Sequence, residues 1–292
     1  SLCGIVGLKP NFGRVSRRGV YPLSWSLDTV GPMTRTVEDA ALIMNVIAGH
    51  DPRDPSSSKR PTEDFAATLD QGVNGTRVGI PTNYFYEAID PEVAEAVRGS
   101  ARLLEGLGAK VDEVSIPVLD HSLSISSTIL LAEAAEVHLG HLRGRAEDIG
   151  ADVRARLEAG ALTLAKNYIK AQRARTAFNR QMAKTMERFD LLLTPTVPIG
   201  APRIGERTVP VGDRIEPAQR ADRAVVNNLL SRLTRPFNIC GVPTISVPCG
   251  FTSLGMPVGM QLAGRPFEEA TVLRVGHAYE QATDWHSLRP PM

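Results

Sequence analysis

The sequence predicts an α/β fold, and three stretches carry that prediction. Thr76-Arg-Val-Gly-Ile-Pro81 reads as a short strand, a capped amphipathic pattern follows it, and Lys110 to Ile116 alternates as a second strand. Strand, helix and strand within about 40 residues is the layout of a right-handed βαβ crossover between parallel neighbours. Asp190-Leu-Leu-Leu-Thr194 is a short, continuous apolar run, as expected of a strand buried on both faces.

The remaining elements follow in chain order. The apolar run Leu2 to Leu8 is punctuated by Gly4 and Gly7 and stopped by Lys9-Pro10. Glycines inside such a run predict places where backbone approaches something closely. Thr36 is placed to cap a helix with Val37, Ala40, Ala41, Met44, Ile47 and Ala48 on its apolar face, and Gly49 to end it. His50 to Thr62, rich in Pro, Asp and Ser, predicts an exposed loop. Asp90 caps the crossover helix, with Pro91 at its first position and Val93, Val97, Ala101 and Leu104 on one side. Ile129 to Phe189 reads as mainly helical. In its last helix Tyr168, Ala171, Arg175, Phe178, Met182, Met186 and Phe189 share one stripe, which puts the Arg175 guanidinium on the inward face. A buried guanidinium needs a carboxylate or several carbonyls, so Arg175 is either a structural ion-pair member or a group turned to a ligand.

Pro195 to Pro217 is Pro/Gly-rich and predicts a long loop. Arg235 to Phe251 and Gly255 to Gly264 read as two β-rich runs joined by Thr252-Ser-Leu-Gly255, an antiparallel hairpin in which Pro243, Pro248 and Pro257 interrupt pairing or sit at strand ends. A final helix, Glu268 to Ala282, carries Val272, Val275 and Tyr279 on its apolar side.

Composition narrows the function. With 42% hydrophobic and 22% charged residues the chain has enough apolar material for a sizeable core, which excludes wholesale disorder. A net charge of +1 gives no electrostatic reason to expect direct nucleic-acid binding or an anionic membrane as partner. No run approaches the ~18 apolar residues of a membrane span. Cys3, Cys240 and Cys249 lack metal-ligand spacing and predict a reduced, cytoplasmic thiol set.

Several short motifs carry only bland readings. Ser56-Ser-Ser-Lys59 has the S-x-x-K spacing of serine β-lactamases and penicillin-binding proteins but lies in the predicted loop without the companion S-D-N and K-T-G elements. His138 and His141 have i, i+3 spacing and no carboxylate companion, so no metal site is predicted. Lys9 reads as a surface or packing group, and Ser16, Ser24 and Ser26 as turn or capping groups. Asp28 is expected to accept backbone donors in a tight turn. Cys3 and Cys249 are expected to be small buried apolar groups. No phosphate-binding glycine loop is present, so no nucleotide is implied.

The stretch C-G-I-V-G-L-K-P-x-x-G-R-V-S from Cys3 to Ser16 continues as D-x-x-G-P-x-x-R-x-x-x-D-A from Asp28 to Ala40. Together with the two runs Arg235–Phe251 and Gly255–Gly264, this resembles the amidase signature family. The resemblance covers nearly the whole chain, strongest at Ser1–Gly49 and Arg235–Gly264 and weakest from Ser122 to Leu164. It implies one layered α/β/α domain over residues 1–292 with a mixed central sheet, completed by N-terminal strands missing here. It also implies hydrolysis of a small-molecule carboxamide by a serine, a second serine in a cis peptide and a lysine, with no metal or cofactor. In the family pattern all three lie upstream of the position matching Ser1. The expectation is therefore a C-terminal portion without catalytic residues, inactive by itself, whose open sheet edges favour association between copies.

Three positions are implied on the substrate side. Arg175 matches the arginine that holds the glutamine carboxylate in the glutaminase component of tRNA-dependent amidotransferases. Ser231 stands where those proteins carry an acid, which argues against glutamine, and Cys3 lies close to the expected nucleophile. Two alternatives remain open: such a glutaminase component, with a second subunit and charged tRNA as partners, or a non-catalytic remnant.

Overall fold

The computed structural model describes residues 1–204, 209–211, 214–216 and 229–289. Its centre is a seven-stranded mixed sheet. In chain order the first strands are β1 (Val6–Lys9), β2 (Met33–Thr34), β3 (Arg77–Pro81), β4 (Lys110–Val114) and β5 (Leu191–Pro195). β6 (Val209–Val211) and β7 (Arg214–Glu216) pair separately, and β8 (Thr244–Phe251) and β9 (Pro257–Gly264) return to the main sheet. The sheet order is β2-β1-β8-β9-β5-β3-β4. β3 is parallel to β4 and β5, and the other neighbours are antiparallel.

The helices are α1 (Val37–Ile47), α2 (Pro91–Gly106), α3 (Ser122–Val137), α4 (Leu139–Gly144), α5 (Ala151–Ala161), α6 (Ala165–Met186), α7 (Arg235–Cys240) and α8 (Glu269–Gln281). Thr36 caps α1 by accepting from the Asp39 amide, and the buried Glu280 carboxylate of α8 accepts from the Val37 amide at 3.0 Å. Asp90 caps α2, with Pro91 in its first turn. The expected βαβ unit is β3, α2 and β4, in register from Arg77↔Lys110 to Pro81↔Val114.

Strand side chains alternate between two faces, and two apolar clusters result. Val78, Leu191, Leu193, Ile245 and Leu262 pack with Val37, Met44, Val97, Leu104 and Val272 of α1, α2 and α8. Leu192 and Ala263 point the other way, onto Ile129, Phe178, Met182 and Phe237 of α3, α6 and α7. Helices thus cover both faces, the layered α/β/α arrangement. Each fully buried side chain of this size removes apolar surface worth roughly 1.5–3 kcal/mol.

The structure departs from expectation in four places. Arg235–Cys240, the start of the first β-rich run, is helical: Pro236 suits a first helical turn, and Gly241 ends the helix at φ +71°. The hairpin therefore begins only at Thr244. It keeps its interrupted pairing, with a register shift between Pro248 and Gly250 and Pro257 at the start of β9. Gly4 has φ +62° and lies against Pro257, but space beside Gly7 is open; the close approach is at Gly31, where a Cβ would stand 2.0 Å from the Leu8 carbonyl oxygen. Cys3 is exposed, because the Ser1–Gly4 turn, closed by a 3.1 Å backbone hydrogen bond, carries it outward. Of the predicted loop Pro195–Pro217, residues 205–208, 212, 213 and 217 lie outside the described residues, and the short pair β6–β7 forms within it.

Candidate functional site

The side chains of the predicted turn Ser24–Asp28 are organised by one acid that no motif in the sequence marks. Glu133, on α3 and 1% exposed, accepts from Ser24 Oγ at 2.5 Å, the Ser26 amide at 3.1 Å, Ser26 Oγ at 2.7 Å and Tyr168 Oη at 2.8 Å. Four donors satisfy a carboxylate that burial would otherwise penalise. Ser24 and Ser26 are therefore ligands of Glu133 rather than simple turn formers. Asp28 does act as expected, accepting from the Leu23 and Ser24 amides at 2.8 and 3.0 Å. A single acid inside the apolar run Ile129–Ala135 was the signal that could have found Glu133.

Arg175, on the inward stripe of α6, reaches the same turn. Its Nε donates to the Ile239 carbonyl at 2.9 Å, Nη1 to Ser26 Oγ at 3.1 Å and Nη2 to the Ser26 carbonyl at 2.9 Å. Carbonyls and a hydroxyl, rather than an ion pair, offset its desolvation. Burial lowers the guanidinium pKa, and the charge of Glu133 works against that shift. Burial likewise pushes the Cys240 thiol up to about 12, against the charges of Lys9 and Arg175.

Beside this network lies a cleft of about 640 Å³ between α3, α5 and α7. Leu27 and Asn238, chain neighbours of the two residues Arg175 binds, line it, as do Ser231, Lys9, Arg156 and Arg235. Arg235 Nη2 donates to Ser231 Oγ at 2.9 Å. Lys9 Nζ donates to the Pro10 carbonyl at 3.1 Å, and burial lowers its pKa to about 8 against the charges of Cys240 and Glu269. The structure thus brings Ser231 to one wall with Leu27 and Asn238, while Arg175 lies behind that wall and does not line the cleft. Cys3 does not line this cleft. A larger groove of about 720 Å³ between α2 and α8 is lined by none of Cys3, Arg175 and Ser231.

Among the described residues, no serine or cysteine side chain is hydrogen-bonded to a lysine or histidine, the arrangement that activates such nucleophiles. Ser56 of the S-x-x-K stretch donates to Asp54 at 2.6 Å within its loop. Among the described residues no group of three His, Cys, Asp or Glu side chains is gathered to hold a metal. No helix among them is long and apolar enough to cross a membrane.

Comparison with known proteins bears on this geometry. The family model described as Amidase matches residues 1–273. An amidase of Pseudomonas putida is 44% identical over 295 residues, covering 100% of this chain and 61% of that protein. The A component of the glutamyl-tRNA(Gln) amidotransferase of Chloroflexus aggregans is 41% identical over 316 residues, covering 100% of this chain and 62% of that protein. The solved structure of 6-aminohexanoate cyclic dimer hydrolase with substrate superposes with a TM-score of 0.83 at 30% identity, covering 99% of this chain and 63% of that one. The chain spans about three fifths of the length of these relatives.

Proposed function

The chain belongs to the amidase family, and on that premise we propose that it is the C-terminal portion of a cytoplasmic hydrolase that cleaves a small carboxamide to an acid and an amine or ammonia. In this reading residues 1–292 are one part of a single domain, and sequence preceding Ser1 supplies the serine nucleophile, the second serine and the lysine. The serine oxygen attacks the amide carbon, the C–N bond breaks as the amine leaves with a proton, and water releases the acid from the acyl-enzyme.

The observation that supports the reading is a cleft with hydrogen-bonding and apolar walls in a chain that the Amidase family model matches over residues 1–273. Ser231, whose hydroxyl oxygen accepts from Arg235, lines the substrate side. Arg175 fixes Ser26 and Ile239 with three N–H groups and so braces the wall from behind, without lining the cleft itself. Cys3 is exposed on the turn before β1, and by the family resemblance it lies near the incoming nucleophile.

The test is turnover of aryl and short aliphatic amides. The chain alone should be inactive, and the same chain extended upstream of Ser1 should hydrolyse them. Turnover by the chain alone that serine-directed reagents abolish overturns the assignment. The likeness to the amidotransferase component keeps glutamine deamidation as a second reading. Ser231 in the place of the acid disfavours it, because that position then lacks the carboxylate that would hold an α-ammonium group. Glutaminase activity in the extended protein would reverse that order.

A further inference from the structure

The charged lining of the cleft is of one sign. Lys9, Arg156 and Arg235 face it from β1, α5 and α7, and among the described residues no carboxylate lines it. The chain has 33 basic and 32 acidic side chains, so this segregation is local rather than a reflection of net charge. The larger groove shows the opposite, with Glu92 and Glu95 and no cation. Lys9 donates to a carbonyl rather than a carboxylate. Arg156, half-buried, makes no ion pair among the described residues. Cations gathered in a concave site whose lining holds no carboxylate favour an anion, more strongly where low dielectric walls limit screening. Leu27, Leu130 and Leu230 supply an apolar wall, and about 640 Å³ suits a small organic molecule.

We infer that this cleft binds the carboxylate of an amphiphilic amide, with Lys9, Arg156 and Arg235 meeting the charge and the leucines meeting its apolar body. The inference rests on the amidase reading and narrows its substrate to an amide that carries a negative charge away from the scissile bond. A free phosphate shares the charge but not the apolar body.

The test compares 4-acetamidobenzoate with its neutral isostere 4-acetamidobenzamide, binding to the chain being measured by calorimetry or ligand-observed NMR. The benzoate should bind at least about tenfold more tightly, and its advantage should shrink at about 0.5 M salt. Arg156→Gln and Lys9→Gln should each reduce that advantage about threefold or more, with circular dichroism unchanged; Arg156→Lys should keep most of it. Equal binding of the two probes, or an advantage untouched by both glutamine variants, overturns the inference. Inorganic phosphate displacing the benzoate as strongly as unlabelled benzoate does also overturns it. In the extended protein, hydrolysis of neutral amides with no preference for the benzoate refutes the inference and leaves the amidase reading standing. Benzoate binding without any amide turnover does the reverse.

Discussion

The Glu133 carboxylate holds Ser26 twice, accepting from its amide at 3.1 Å and its hydroxyl at 2.7 Å. Through Ser26 the negative charge on α3 is linked to the guanidinium of Arg175 on α6 without the two charges meeting. Glu133→Gln puts N–H groups against donors that need an acceptor, and should lower stability by about 2–4 kcal/mol in urea unfolding. Tyr168→Phe removes one of the four bonds and should cost only about 1 kcal/mol. Equal losses in the two variants would show that Glu133 is not the hub of this network.

Asp190 ties three strand ends together. It accepts from the Arg77 amide at 2.9 Å and from both the Arg77 and Arg265 guanidinium groups at 2.8 Å. Burial acts to raise its pKa, but the hydrogen bonds and charge of Arg77, with Arg265, hold it below the ordinary value. A depressed carboxylate pKa stabilises the fold above the unfolded value of about 3.9 and loses that effect as pH falls through the folded one. Asp190→Asn should therefore cost about 1–2 kcal/mol at pH 7, and its deficit should start to shrink as pH falls below about 4 and vanish only below the depressed folded pKa. A deficit independent of pH would remove the electrostatic account.

Two glycines of the N-terminal segment should respond oppositely to alanine. A Cβ at Gly31 would stand 2.0 Å from the Leu8 oxygen and 2.6 Å from Pro10 Cδ, so Gly31→Ala must displace β1. A loss of roughly 3 kcal/mol or more is expected. Gly7 has open space and an extended backbone, and Gly7→Ala should be within about 1 kcal/mol of neutral. Thermal melts of the two variants measure the contrast.

Lys9 titrates with Cys240 and Glu269 facing it and with Arg156 and Arg235 lining the same cleft. Its folded pKa of about 8 lies below the unfolded 10.5, so the unfolded chain binds more protons between those values and stability rises with pH across that window. Relative to Lys9→Met, the parent chain should gain on the order of 1–2 kcal/mol from about pH 7 to about pH 10. Acetic anhydride should label Lys9 with a half-maximal rate near pH 8. Labelling that follows the ordinary lysine value would contradict a buried amine.

Elements with local signals were legible in the sequence. Thr36 and Asp90 mark helix starts by chemistry that acts within three residues, and the stripe from Ala171 to Met186 fixes the face of α6 by period alone. The helix Arg235–Cys240 was not legible, because six residues hold too little periodicity to outweigh an apolar run leading into a true strand. The candidate cleft was only partly legible. Arg175 stands out by the period of its helix and Ser231 only by resemblance, whereas Glu133, Lys9 and Arg156 matter through neighbours far away in sequence, which no local pattern encodes. Cys3 defied the expectation of burial for a different reason: its side chain is aimed by a turn, not by its apolar character.

The pairing of Gly7 with Ser246 joins two stretches almost the whole chain apart, and it sits well inside the sheet. During synthesis β1 can meet β2 early, yet its other edge must wait for β8, one of the last strands to leave the ribosome. Such long closure slows folding and leaves a strand edge open to strangers in the meantime. Production of this protein should accordingly benefit from slow translation at low temperature, and truncation after Asp190 should yield an insoluble product even though most of the helices would already be present.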